Sequence, residues 1–420
     1  MSIAAFEERA QILDRSDPLR AFRDRFHIPV LDDGSEVIYL AGNSLGLQPK
    51  SVPDFVVREL DKWKTLGVSG HFEGDDPWMP YHELVRGQMA DLVGGLPHEV
   101  VVMNSLTVNL HLMMATFFEP RGRRRKIMIE SESFPSDRYA VQSQLRYHGL
   151  APAECLVELS PRPGSDRLET NDVVETIERH AGELALILLG GVNYYSGEVL
   201  DMKAIAATAR GAAVPIGFDL AHAVGNVPLN LHDWGADFAA WCSYKYLNAG
   251  PGGIAGCFIH ERHARDRSLR RLAGWWGHNP WNRFDMPHEF DPMDSADGWQ
   301  LSNPPILLLA ALRASLDIFK EAGMAPLREK SLRLTGFLRE MLSAIDGPFR
   351  IITPSGPEAS GSQLSLHFQH DARSILGALE DRGVRCDYRE PDVVRIAPVP
   401  LYNTFSDTAA FAGVLNRLFQ

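Results

Sequence analysis

The sequence predicts an α/β fold, with a large domain built on a mostly parallel sheet wrapped by helices and a smaller α/β domain beside it. Three observations lead there. Between Val100 and Ile259, short apolar runs alternate with stretches of helical spacing, which is the pattern of a sheet covered on both faces. The 420 residues exceed what one hydrophobic core usually fills. Pro304-Pro305 then opens a long helical pattern, and the residues beyond it read as strand, helix and strand.

Taken in order, Asp54 to Leu66 and Tyr81 to Leu92 carry apolar residues at helical spacing. Val100 to Met103 reads as a strand, and Leu106 to Phe118 as a strongly apolar helix. Ile127 to Glu130, Leu184 to Leu189 and Pro215 to Leu220 are expected strands, with Ser136 to Tyr147 and Met202 to Arg210 as helices between them. Asp237 to Ser243 and Ile254 to Ile259 add two more strands. The Trp-rich, aperiodic segment Gly274 to Gln300 is expected to be a long functional loop or an interface. Pro304-Pro305 starts a helix to about Ala322, and Gln363 to Phe368, Ala372 to Asp381 and Val393 to Ala397 form the smaller unit. The implied division is a segment 1–50 that joins the small domain, a large domain 51–303 and a small carboxyl-terminal domain 304–420.

Composition narrows the function. A hydrophobic share of 45% with 23% charged residues is that of an ordinary globular protein. With 54 acidic against 42 basic side chains, the net charge of −12 argues against a general affinity for nucleic acid or anionic membrane. Small molecules or a second copy of the chain are the expected partners. The basic run Arg121 to Lys126 reads as a solvated loop. Cys155, Cys242, Cys257 and Cys386 are too scattered for a zinc or redox site and too few to staple a chain of this length, so no metal is expected and the thiols should be reduced. Met1 to Arg9 holds two glutamates and no long apolar run, and no stretch reaches the roughly 18 apolar residues of a membrane span. Cytoplasm is the expected location.

The chemistry is carried by GFDLAH at 217–222 and the Tyr244-Lys245 that comes after Trp241-Cys242-Ser243. Asp219 and Lys245 each fall at or just past the carboxyl end of an expected strand, where open α/β sheets place their ligands. A carboxylate facing a pyridine nitrogen keeps it protonated, and a lysine amine holds an aldehyde as a Schiff base. The pair therefore reads as a site for pyridoxal 5'-phosphate. Asn104-Ser105-Leu106-Thr107, at the start of an apolar helix, would supply free amides and a hydroxyl for the phosphate, or else a plain helix cap. Phe134-Pro135-Ser136-Asp137 comes after another strand: the ring could stack on the pyridine face, while Asp137 could equally cap the next helix.

These residues together resemble the kynureninase family, pyridoxal phosphate enzymes that hydrolyse the Cβ–Cγ bond of L-kynurenine to give anthranilate and L-alanine in tryptophan catabolism and NAD biosynthesis. The likeness runs from YLAGNSLGL at 39–47 through LTVNLH at 106–111, FPSD at 134–137, FDLAHAVGN at 218–226, CSYKYLNAG at 242–250, Gly274-Trp275 and SNPP at 302–305 to RIAPVPLYN at 395–403. It implies the aspartate-aminotransferase fold (fold type I), a PLP-dependent transferase-like architecture, and a homodimer with shared active sites. Carried over, Lys245 is the Schiff-base lysine and Asp219 the pyridinium partner. Leu106, Thr107, His222 and Tyr244 hold or flank the cofactor, with its ring near Phe134 and Asp137. Trp275 and Asn303 are implied as phosphate or pocket contacts from one subunit or the other. Arg395 would grip the substrate α-carboxylate, the alternative being a surface salt bridge near a strand end. His71 and Ser44 are implied near the substrate, and Tyr244 as proton donor. His71 and Asn303 could also meet a ring hydroxyl, so the resemblance inclines toward activity on both kynurenine and 3-hydroxykynurenine.

Rival readings are a cysteine desulfurase-like lyase of the same fold, for which Cys386 is the carboxyl-terminal candidate, and a non-catalytic pyridoxal phosphate binder docking through Trp275 to Trp299. A binder has no need of the Arg395 clamp. A nicotinamide-binding protein would need a G-x-G-x-x-G after a strand, and the sequence has none there.

Overall fold

The computed structural model describes residues 3–420; Met1 and Ser2, the start of the segment read for a targeting signal, lie outside the described residues. After a short strand β1 (Ile38–Tyr39), the chain builds its larger sheet from β2 (Val100–Val102), β3 (Lys126–Glu130), β4 (Leu156–Leu159), β5 (Leu184–Gly190), β6 (Ile216–Asp219), β7 (Phe238–Trp241) and β8 (Gly256–Ile259). Their spatial order is β2-β8-β7-β6-β5-β3-β4. β8 alone runs against its neighbours, so six of the seven strands point the same way.

The strands read as near-continuous apolar runs because both faces are covered. In β5, Leu186 and Leu188 pack into one core with Ile127, Ile129 and Phe238, while Ile187 and Leu189 pack into the other with Phe218 and Ile205. The period of two assigns alternate residues to opposite cores. Helices Leu106–Phe117 and Pro135–Tyr147 cover the first of these faces, and Met202–Gly211 the second.

A second sheet, β9 (Phe349–Ile351), β10 (Leu364–Phe368), β12 (Asp387–Arg389) and β13 (Val393–Ile396), is antiparallel in the order β12-β13-β10-β9, and β11 (Val384–Arg385) pairs in parallel with β1. Phe6, Ala10 and Leu40 share its core with Leu338, Leu366 and Phe411. Helix Ile306–Ala322, in contrast, buries Leu309, Leu312 and Phe319 in the core of the larger sheet. A single residue, Gly323 at φ 74°, separates it from helix Met324–Leu342.

Two stretches differ from expectation or refine it. Tyr81 to Leu92 is not one helix: a 3₁₀ turn, Tyr81–Val85, precedes the α-helix Arg86–Val93. The turn is set by Glu83 N–H donating to Pro80 O, an i to i+3 bond of 2.8 Å. Gly274 to Gln300 holds only three single-turn 3₁₀ helices. It is nonetheless anchored, since Trp276 and Trp299 are buried, Trp299 Nε1 donates to Thr116 Oγ1 at 3.0 Å, and Arg283 donates to the carbonyls of Trp276 and His278. All four cysteines are free and buried.

Gly217 in β6 faces the Phe238 ring so closely that a Cβ would collide with it, and that ring is itself stacked on Phe117 at 5.0 Å. Gly211, at the end of its helix, has open space where a Cβ would sit. Gly217→Ala is therefore expected to destabilise by about 1–3 kcal/mol, whereas Gly211→Ala should be neutral or stabilise by up to about 1 kcal/mol. Urea-unfolding midpoints of the two variants against the parent check this; equal midpoints would contradict the packing at Gly217.

Candidate active site

Because β2, β3, β5, β6 and β7 are parallel, their carboxyl ends meet on one edge, and the helices that come after β2 and β3 begin there too. A cavity of about 240 Å³ opens at that edge. Of the residues singled out in the sequence, Leu106, Thr107, Phe134 and Asp137 line one part of it, and Asp219, His222, Tyr244 and Lys245 the rest. Two signals separated by 25 residues in the chain thus converge, since β6 ends at Asp219 and the loop after β7 carries Lys245.

Lys245 Nζ sits 2.9 Å from His222 Nε2 and 5.9 Å from the ring centroids of both Phe134 and Tyr244. Burial, then the charges of Lys245 and the arginines Arg395 and Arg389, hold the His222 imidazole well below its ordinary pKa. It is thus neutral and accepts from the lysine amine. Its Nδ1 is buried with no partner in the chain. Asp219, 8% exposed, accepts from Ala221 N–H at 2.7 Å, and the Asp137 carboxyl lies against it. Burial and the neighbouring Asp219 raise the Asp137 carboxyl well above the usual carboxylate range. Two carboxyls sharing a proton leave one anion to face a cation.

At the other end, Ser105 precedes helix Leu106–Phe117 without making a side-chain cap bond. The plain-cap reading of that stretch fails, and the first-turn amides remain to be satisfied by something else. Thr107 Oγ1 shares a 2.9 Å hydrogen bond with Ser136 Oγ, at the start of the neighbouring helix. Two helix amino termini and two hydroxyls therefore converge, the donor set a phosphate needs. An unpartnered imidazole nitrogen, an amine, an acid pair and this anion cradle around one cavity fit pyridoxal phosphate. Burial first, then the neighbouring Cys242, raises the Tyr244 phenol, so it keeps its proton at neutral pH.

Arg395 and Ser44 lie behind this cavity. Arg395, on β13 and 1% exposed, donates through Nη1 to the carbonyl of Tyr194, a cavity-lining residue, at 2.6 Å. Its Nε and Nη2 hold both oxygens of Asp387, and Ser44 Oγ joins them. Burial opposes ionisation, yet Arg395 and Ser44 hold the Asp387 carboxyl below its usual value. The surface salt bridge weighed for this strand-end arginine is instead a buried one.

Besides Arg395 and Ser44, three more expected residues do not line the cavity of the single chain. Trp275 is 42% exposed and packs edge-on against Phe284 at 5.4 Å, Asn303 is exposed, and His71 stands edge-on to Trp78 at 5.3 Å with Nδ1 buried and unpartnered. Phe72 and Trp275 both touch Phe284, which links their two loops.

Sequence reasoning passes over Glu130, Asn193, Tyr194 and Asp387. Glu130 closes β3 and accepts from Gly190 N–H at 2.7 Å and Asn193 Nδ2 at 2.8 Å, and burial raises its carboxyl. The available signal is a charge ending an apolar run. Asn193 is marked by its turn, its Oδ1 accepting from the amides of Tyr195 and Ser196.

Comparison with known proteins separates fold from family. A C-DES variant with glycine covalently linked to its PLP cofactor (TM-score 0.76, 16% identical, covering 94% of this chain and 98% of that one) shares the fold. So does the Escherichia coli cysteine desulfurase CsdA (TM-score 0.76, 17% identical, covering 96% and 98%). The desulfurase reading goes no further than this, since Cys386 is buried and its thiol is pushed up by that burial, the opposite of a reactive cysteine. The family model described as the kynureninase C-terminal domain matches residues 327–415. The kynureninase of Koribacter versatilis (strain Ellin345) is 54% identical over 98% of both chains. That of Myxococcus xanthus (strain DK1622) is 53% identical over 97% of this chain and 96% of its own. With that identity sustained from end to end, the chain belongs to the kynureninase family.

Proposed function

We propose that the protein is a pyridoxal phosphate-dependent hydrolase of carbon–carbon bonds that converts L-kynurenine to anthranilate and L-alanine. The observation that carries the reading is the Lys245 amine against His222 in the cavity that also contains Phe134, Tyr244 and the Asp219–Asp137 pair. Bound there, pyridoxal phosphate supplies an electron sink conjugated to the substrate α-carbon. The Lys245 amine would take the substrate α-proton, with His222 beside it as acceptor of an amine hydrogen. Water adds to the γ-carbonyl, and collapse of the resulting diol expels the aryl acid. Tyr244, kept protonated by burial, returns a proton to Cβ. Arg395 grips the α-carboxylate, for which its planar fork is shaped.

The reading includes 3-hydroxykynurenine, whose ring hydroxyl His71 and Asn303 would meet, and the ratio of kcat/KM for the two substrates measures the preference. We further propose a cytoplasmic homodimer in which Trp275 and Asn303 of one subunit complete the site of the other. Their exposure in the single chain supports this, as does the apolar groove containing Leu307 and Leu308, and sedimentation tests it. No helix among the described residues is long and apolar enough to cross a membrane. The division at residues 50 and 303 is part of the same proposal. The packing of Phe6 and Leu40 in the carboxyl-terminal core supports the boundary at 50, while helix Ile306–Ala322 packs in the core of the larger sheet and argues for a later boundary than 303; limited proteolysis reads both.

Lys245→Ala should lose the visible absorbance of the lysine-linked cofactor and more than about a thousandfold of its turnover. A variant that keeps both has another lysine as anchor. Tyr244→Phe should still exchange the substrate α-proton with solvent while product formation slows by about 10²–10⁴-fold; undiminished anthranilate fluorescence removes the phenol from the proton-transfer role. Arg395→Lys is expected to lower kcat/KM about a hundredfold, the roughly 3 kcal/mol of a charge-assisted pair, with the visible spectrum intact. An unchanged KM and kcat would place the carboxylate elsewhere.

A further inference from the structure

The opposite edge of the larger sheet carries a second cluster of chemistry-bearing side chains. Glu99 immediately precedes β2, His260 immediately succeeds the reversed strand β8, and His232 lies in the connection from β6 to β7, so all three fall at the amino edge of the parallel strands. Glu99 is fully buried, yet it is a glutamate between two imidazoles rather than part of the apolar core. Its carboxylate is fixed in orientation by two backbone amides, Leu96 N–H on Oε2 and Glu261 N–H on Oε1, each at 2.8 Å. His232 Nδ1 stands 2.9 Å from Oε1, and His260 Nδ1 stands 3.6 Å from the same oxygen. The two rings are stacked, 5.1 Å apart and 20° from parallel, which turns both nitrogens toward the carboxylate.

We propose that Glu99, His232 and His260 bind a divalent transition-metal ion of the zinc class, with a water in the fourth position. An ion with bonds of about 2.0–2.1 Å in tetrahedral geometry holds its ligand atoms about 3.3 Å apart, and the separations of 2.9 and 3.6 Å lie on either side of that value. The three donor atoms all fall within 4.8 Å of one another. Two imidazoles and one carboxylate are the donor set zinc takes when it keeps an open position. The supporting bonds are also present: the amides that orient Glu99 act on a ligand oxygen without occupying all of its lone pairs. Arg262, the nearest cation on the same loop, is engaged by Gly235 O at 2.8 Å and Asp237 at 2.6 Å. Metal entry requires two adjustments. His232 gives up the Nδ1 proton it shares with Glu99, and His260 Nδ1 leaves its long 3.3 Å contact with Arg262 N–H, so binding releases a proton and weakens as pH falls.

The test uses the holoenzyme stripped with a chelator and dialysed against micromolar Zn²⁺. Saturable uptake of one ion per chain is expected, together with the intense visible bands of a tetrahedral complex when Co²⁺ replaces it. The double variant His232→Asn/His260→Asn, in which the new amides can still donate to Glu99 and cap the turn after residue 260, should bind at least about tenfold more weakly. Its kynurenine turnover in chelator should be unchanged, which also reports that it folds. Should the double variant fold poorly, His260→Asn alone leaves the Glu99–His232 bond intact and should still weaken uptake. Absence of stoichiometric uptake, equal uptake by the variants, or a weakly coloured octahedral Co²⁺ complex would each overturn the site and leave the cluster as a hydrogen-bonded brace.

Discussion

Parallel pairing of β6 with β5 on one side and β7 on the other sets Asp219 opposite Gly190 and Ala240, and the pocket depends on that register. Phe218 turns into one core, so its neighbours Gly217 and Asp219 face the other way. A slip of one residue would send Asp219 into an apolar core and drive Phe218 against the Phe238 ring on the other face. The register is held by the density of packing around it. β6 is central, buried on both faces, and Gly217 admits the Phe238 ring where any side chain would obstruct it. The strand therefore ends in one place, and the acid stands at the mouth of the cavity with its backbone already in the ladder.

That placement gathers three buried carboxyls, Glu130, Asp137 and Asp219, around a single lysine in one cavity. Like charges so disposed cannot all ionise at low cost. The chain resolves the conflict locally. Glu130 receives a backbone amide and the Asn193 side chain, Asp219 receives an amide, and Asp137 retains its proton beside Asp219. The consequence for chemistry is a site that concentrates its negative charge at the Asp219–Asp137 pair rather than spreading it as a diffuse field. His222 completes the arrangement, since an imidazole held neutral can take a hydrogen bond from the Lys245 amine without adding a competing positive charge.

Much of this is legible in the chain because the signals are local. Apolar runs between helical stretches mark β5, β6 and β7, and an acid or a lysine just past such a run can face only the edge where the run stops. Leu106, Thr107, Phe134 and Asp137 emerge from the same logic, being the first residues of helices or turns after strands. The illegible part depends on contacts between distant segments. Nothing near Asp387 announces that it will meet Arg395 and Ser44, because that triad joins β12, β13 and a loop some 340 residues upstream, as the separation of 343 between Ser44 and Asp387 records. The helix Phe405–Arg417 does carry a local mark, with Thr404 and Asp407 forming a capping box, but its apolar pattern continues a run of prolines and aromatics that masks where it begins. For Trp275 and Asn303 no reading of one chain suffices, since a residue exposed on a monomer carries no statement of what lies against it.

The Arg395–Asp387 pair bears on how an anion could enter at all. The Nε and Nη2 edge of Arg395 is committed to Asp387 and Ser44, and Nη1 donates to Tyr194 O. A substrate carboxylate that claims this Nε–Nη2 edge must displace Asp387, and stranding a buried carboxylate costs several kcal/mol. The surroundings remove most of that penalty. Arg389 Nη2 already stands 3.3 Å from Asp387 Oδ2, and the Ser44 hydroxyl donates to the same oxygen. Asp387 can therefore pass from one guanidinium to the other while Arg395 passes from the internal carboxylate to the incoming one, so the number of paired charges is the same before and after. An arginine held ready in this way is pre-shaped by its internal partner for the geometry of a carboxylate, which lowers the ordering cost when the ligand arrives. A ligand without a carboxylate has nothing to offer in exchange, and the internal pair would stay closed against it.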